Sequence, residues 1–143
     1  MTQEEKQLLL KDLCARLPYG TIVSVTDGTI KYEAYIESVS YNNIQVSPVS
    51  DSNFTAYAFY KISEIKPYLR PMSSMTEEEE IEFEKIFELE LKALESPEGH
   101  TIESAASSVF AIDFYNKYHF DCRGLIEKGL AIAVTENNNP YKE

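Results

Sequence analysis

Hydrophobic and polar positions change rhythm twice along this chain. Leu10, Leu13, Cys14 and Leu17 recur at helical spacing behind Thr2 and Glu5, which are spaced as a capping box. Pro18-Tyr19-Gly20 ends that predicted helix. Cys14 falls on the apolar stripe, where a small buried hydrophobe is expected. From Thr21 to about Tyr60 the period drops to two. Residues 22–26 lead into Asp27-Gly28, the strongest short hairpin signal. The return strand sets Ile30, Tyr32, Ala34 and Ile36 on one face and Lys31, Glu33, Tyr35 and Glu37 on the other. Asn42-Asn43 makes the next turn, Ile44 and Val46 continue the alternation, and residues 48–53 read as a loop. Residues 54–60 are apolar on both faces and predict a strand covered twice, with 62–69 as a closing turn and exit strand. Short antiparallel strands of this kind suit a small curved sheet or an SH3-like barrel, with a helix over at least one hydrophobic edge.

The second change comes at residues 65–76. Pro67 and Pro71 each lack an N–H and bias their predecessors to extended backbone, which argues against a regular helix or a central strand across this seam. Thr76 and Glu79 then form a second capping box and start a helix over about 76–95. Its apolar face carries Phe83, Ile86, Phe87, Leu91 and Leu94, with Glu90 near the middle of the stripe. A carboxylate there pairs with Arg16, Arg70 or Arg123, or serves as a general base whose pKa is raised by desolvation. Residues 96–100 predict a turn. A third helix covers about 102–118, with Ala106, Val109, Phe110, Asp113 and Phe114 at helical spacing. Residues 125–129 suit one short turn, 130–134 a buried strand, and 135–143 a frayed tail. The reading is an α+β fold forming one compact unit with two lobes: a helix plus sheet or barrel over 1–72 and an acidic helical lobe over 73–143.

Charge sharpens that division. The net charge is -11, but residues 1–70 hold eight acids and seven bases, whereas 71–100 hold ten acids and two bases. Such acidity repels phosphate backbones and anionic membranes, so neither nucleic acid nor membrane is the expected partner. It leaves open a basic partner or mimicry of nucleic acid, although a glutamate-rich helix face is ordinarily just solvated. Two distant cysteines make neither a disulfide framework nor a zinc knuckle, and the N-terminus lacks a positive n-region. The expectation is a soluble cytoplasmic protein with reduced thiols, no cofactor and no metal.

Candidate chemistry is sparse. His119-x-Asp121-x-Arg123 combines an imidazole, a carboxylate and a guanidinium, and with Glu90 it would make an acid–base site. The same spacing also suits a turn or cap, with Arg123 pairing an acid across the fold. The stretch from Tyr60 through Lys61, Lys66 and Tyr68 to Arg70 mixes cations with aromatics. It offers a nucleic-acid face if its three bases and a tyrosine lie open together. The tyrosine supply of the first half, with Tyr35 and Val39 on the face expected to be exposed, suits a protein–protein surface and a possible homodimer. No Ser-His-Asp, Cys-His, metal-spacing or nucleotide-loop pattern is present, so the reading is a non-enzyme that binds a protein partner or itself. Its candidate contacts are Tyr35, Tyr60, Lys66, Tyr68, Arg70, His119, Asp121 and Arg123.

Three segments carry a resemblance. They are Leu8-Leu9-Leu10-Lys11-Asp12-Leu13-Cys14-Ala15-Arg16-Leu17-Pro18-Tyr19-Gly20, the seam Lys66-Pro67-Tyr68-Leu69-Arg70-Pro71-Met72-Ser73-Ser74-Met75-Thr76-Glu77-Glu78-Glu79, and His119-Phe120-Asp121-Cys122-Arg123-Gly124-Leu125-Ile126-Glu127-Lys128-Gly129-Leu130-Ala131. Together they cover about a third of the chain and resemble short uncharacterised bacterial proteins of phage-like and mobile elements. Position 122 looks more often aromatic there, which argues against catalysis by Cys122. The resemblance implies a setting and no activity.

Overall fold

The computed structural model describes residues 1–49, 58–93 and 100–142, with side chains at all of these except 87, 89–93 and 100–108. Helix α1 (Gln3–Arg16) opens with its capping box intact: Glu5 N–H donates to the Thr2 hydroxyl and Thr2 N–H to the Glu5 carboxylate. A 3-10 turn at Leu17–Tyr19 follows, and Gly20 leaves it at φ 66°, a left-handed conformation that needs no Cβ. The strands are β1 (Ile22–Asp27), β2 (Ile30–Val39), β3 (Ile44–Pro48), β4 (Ala58–Tyr60) and β5 (Ile65–Leu69). Helices α2 (Glu77–Ala93) and α3 (His100–Lys117) and the short β6 (Ile132–Ala133) complete the chain.

The fold is α+β, as the pattern predicts. The sheet is a six-stranded open sheet in the order β4-β3-β2-β1-β5-β6 and does not close into a barrel. Its first five strands pair antiparallel, and β6 adds in parallel to β5. Strand parity places Val23, Val25, Ala34, Ile36, Ile44, Val46, Ile65 and Leu69 on one face. There they bury against Leu9 and Leu13 of α1 and Leu125, Leu130 and Ala131 of the C-terminal segment. A bulge between Ile36 and Ser38 resets the register, so that Val39 returns to the core side. The opposite face carries Lys66, Ser24 and Glu33 in one row and Tyr35 with Ser47 in another.

Several expectations are corrected. Pro67 does lie in a strand with neighbours on both sides. It is tolerated because a proline opposite Val23 can only occupy a non-hydrogen-bonded pair, which turns its nitrogen outward. On that outer side β6 reaches only Tyr68 and Leu69. Cys14 is exposed rather than buried, because α1 presents Leu9, Asp12, Leu13 and Arg16 to the core, and the turn through Leu10 and Cys14 runs at the rim. Phe59 is 63 % exposed, so the end of the 54–60 strand is not covered on both faces. On α3, Phe114 is buried but Val109 and Asp113 face out. The packed side instead uses Phe114, Tyr115 and Tyr118 against Phe83 of α2 and Phe120. Buried residues Leu130 and Ala131 precede β6, which keeps only two residues of strand. Residues 135–142 are not frayed: Tyr141 reaches the sheet, as described below. Most of the 54–60 strand, residues 96–99 of the expected turn and the side chains of Phe87, Glu90, Leu91 and Leu94 lie outside the described residues, while His100 opens α3 rather than closing a turn.

Candidate functional site

The segments that stand out in the sequence meet in space. Arg70, at the end of β5, donates both guanidinium arms to Glu79 at 2.7 Å each and a further bond to Ser74 O. Glu79 is also the capping residue of α2, exchanging bonds with Thr76. Arg70 beside it holds its carboxyl down at about 2. The same guanidinium lies 4.2 Å above the centre of the Phe120 ring. Backbone bonds seal the contact: Arg70 N–H donates to His119 O and Asp121 N–H to Arg70 O. The seam is therefore a clamp between the sheet and the turn after α3.

Beneath it sits a buried ionic cluster. Asp12 and Arg16, four residues apart on α1, are both fully buried and paired at 2.8 Å. Arg16 also donates to Phe120 O at 2.6 Å, and Arg123 reaches the other Asp12 oxygen at 3.0 Å. One carboxylate thus serves two guanidiniums, fully buried Arg16 and part-exposed Arg123, and without it Arg16 would be a buried cation with no counter-charge.

His119, Asp121 and Arg123 diverge from this point instead of converging. His119 holds φ 64°, which turns its ring onto Tyr141, stacked at 3.9 Å between centroids. Burial, with Arg16 and Arg70 nearby, lowers its pKa to about 4, so the ring is neutral near pH 7. Asp121 accepts from Leu125 N–H and Ile126 N–H and caps the short turn there. Arg123 goes to Asp12. His119 and Asp121 therefore do not share a pocket; Asp121 makes a cap and Arg123 a cross-fold pair. Among the described residues no group of His, Cys, Asp and Glu could hold a metal.

Tyr141 is the contact that the sequence pattern missed. Its hydroxyl accepts from Ile22 N–H at 3.1 Å and donates to Tyr68 O at 2.8 Å, bridging β1 and β5. Burial pushes its phenol well above the ordinary range. An Asx turn at Asn139 aims it there, since Tyr141 N–H donates to the Asn139 side chain.

The cation and tyrosine face between 60 and 70 is dispersed. Tyr68 is buried, and Tyr60 packs on the core with its hydroxyl 2.8 Å from that of Tyr32. Arg70 is committed to Glu79, and Lys66 lies exposed on the outer face beside Ser24. The three cations with an open tyrosine that the nucleic-acid reading needs are not assembled. Tyr35 is exposed on the outer face, as its alternation predicts.

What remains unassigned is a groove of about 520 Å³ beside the end of β4, of a size that small ligands and peptide side chains fill. It lies between the first turns of α1, the β2–β3 turn and the 3-10 turn Ile62–Glu64. Lys6 and Lys61 flank it, Gln3, Gln7, Asn42 and Asn43 supply amides, and no lining residue is acidic. Leu10 and Ile62 form an apolar floor continuous with the core. Tyr41 stands 79 % exposed at its rim. Leu10, Asn42, Asn43, Lys61 and Ile62 lie in stretches whose local structure the sequence signals, but nothing in it shows that they converge. No known protein family, curated protein or solved structure matches the chain. No described helix is long and apolar enough to cross a membrane.

Proposed function

We propose that this is a small non-catalytic accessory protein of the cytoplasm, of phage or mobile-element type, that works by binding another protein through the β4 end of its sheet. The observation that carries the reading is the pair of open aromatics at that end, Tyr41 at 79 % exposure beside the groove and Phe59 at 63 % on the outer face of β4. Large open aromatic rings are inexpensive to desolvate and are enriched among the anchors of protein interfaces. Phe59 and Tyr35 project from the same outer face, Phe59 opposite Gln45 and Tyr35 opposite Ser47, so the surface continues across the sheet. Strand β4 is also the end strand of the sheet, and no described strand pairs beyond it. By contrast, Asp121 and Arg123 bond within the fold, and His119 stacks on Tyr141.

Site-specific photo-crosslinking tests this. A benzoylphenylalanine at position 59 should give a discrete protein adduct in the native host, and one at position 81 on the acidic helix should give none. The reverse pattern refutes the reading. Light scattering tells a second copy from a different partner; a dimer joined through the exposed glutamates of α2 would refute it as well.

A further inference from the structure

We infer that the groove beside β4 receives a short acidic peptide segment, in extended form, with an apolar side chain between carboxylates. The inference rests on the interaction reading above and names the chemistry of the partner. In a molecule of net charge -11, this concavity is bounded by two lysines and has no acid in its lining. Lys6 and Lys61 are exposed, and among the described residues neither takes part in an ion pair. Two neighbouring carboxylates are turned to backbone donors instead: Glu5 takes Thr2 N–H, and Glu64 takes Lys61 N–H.

The rest of the lining matches a peptide better than a lone anion. Gln3, Gln7, Asn42 and Asn43 each carry a donor and an acceptor, the complement that an extended backbone presents. Leu10 and Ile62 form a dry floor for one aliphatic side chain, whose burial a simple phosphate cannot exploit. A nucleic acid strand is the poorer fit. Two lysines neutralise few phosphates, and each further phosphate meets an acidic protein. A peptide with two to four carboxylates avoids most of that repulsion, because the densest acidity belongs to α2 and is screened beyond about 8–10 Å at physiological salt.

The test is fluorescence anisotropy on the full chain. The probe is a fluorescein-labelled peptide with one leucine flanked on each side by aspartates, compared with its lysine-for-aspartate analogue and with labelled oligothymidylate. The acidic peptide should bind and the basic analogue should not. The Lys6→Glu/Lys61→Glu double variant should weaken binding about tenfold, as two surface ion pairs would. Lys66→Glu, an exposed lysine outside the groove, should leave it nearly unchanged. Circular dichroism checks that each variant folds. Equal loss in Lys66→Glu, or no binding of the acidic peptide, overturns the inference. Tighter, lysine-dependent binding of oligothymidylate overturns it in favour of nucleic acid. A normal crosslink from position 59 with no peptide binding condemns only the groove assignment, whereas loss of that crosslink in an otherwise unchanged chain condemns the interaction reading itself.

Discussion

Asp12→Asn tests the physical account of the fold most directly. The substitution keeps the shape of the side chain and removes one negative charge from a site with no solvent exposure. In the native protein that charge faces Arg16 Nε at 2.8 Å and Arg123 Nη1 at 3.0 Å. Neutralising it leaves two guanidiniums around one amide. Arg16 cannot turn to water, because it is fully buried and held by Phe120 O. Removing one member of a buried pair costs about 3–5 kcal/mol. Against a total stability of about 5–15 kcal/mol, that is enough to bring the protein close to unfolding at 37 °C. Arg123→Gln provides the internal comparison. Its side chain is 18 % exposed and Asp12 retains Arg16, so the loss should be about 1 kcal/mol. Urea denaturation followed by circular dichroism reads both, as a drop in midpoint with unchanged slope. If Asp12→Asn costs no more than Arg123→Gln, the cluster is solvated in solution and the account of a buried ion pair fails.

Two further predictions follow from the C-terminal contact. Tyr141→Phe keeps the ring on His119 but strips the bridge between Ile22 N–H and Tyr68 O, and should cost about 1–2 kcal/mol in the same urea assay; an unchanged midpoint would return residues 135–142 to a frayed tail. Because the folded pKa of His119 is lowered from 6.5 to about 4, the unfolded chain binds the extra proton first. Its contribution to stability is fully present above about 6.5 and is lost as pH falls toward 4, whereas that of Glu79, lowered from 4.5 to about 2, is lost only at still lower pH. His119→Asn, which tolerates the positive φ, should flatten the stability profile between pH 6.5 and 4, and a slope unchanged by the substitution would refute the assignment.

Much of the architecture was legible because it is written in local chemistry. Both capping boxes, the Asp27-Gly28 hairpin and the alternation through β2 and β3 depend on neighbours within a few residues, and the structure reproduces them. Periodicity reports that a helix has an apolar side, but not how far that side rotates. A single polar pair, Asp12 with Arg16, therefore turned α1 enough to expose Cys14. The role of Asp121 as a cap could be read from Gly124 and the apolar residues after it. The partner of Arg123 could not, since Asp12 lies 111 positions away. Tyr141 gave no signal at all: it follows three asparagines and a proline, which read as loop, and its targets are backbone atoms of strands far away in sequence. The groove was illegible for the same reason, being formed where three separated turns approach each other.

The Tyr141 bridge also bears on the order in which the molecule is assembled. Ile22 opens β1, yet the side-chain partner of its amide is 119 positions further along the chain. As the polypeptide leaves the ribosome, β1, β2 and β3 can pair with little delay, each joined by a short turn. The Arg16 bond to Phe120 and the tyrosine bridge must wait until residues 120 and 141 have been made, and both close long loops. An emerging chain can therefore pair β1, β2 and β3 while the contacts around Ile22 and Tyr68 are still open.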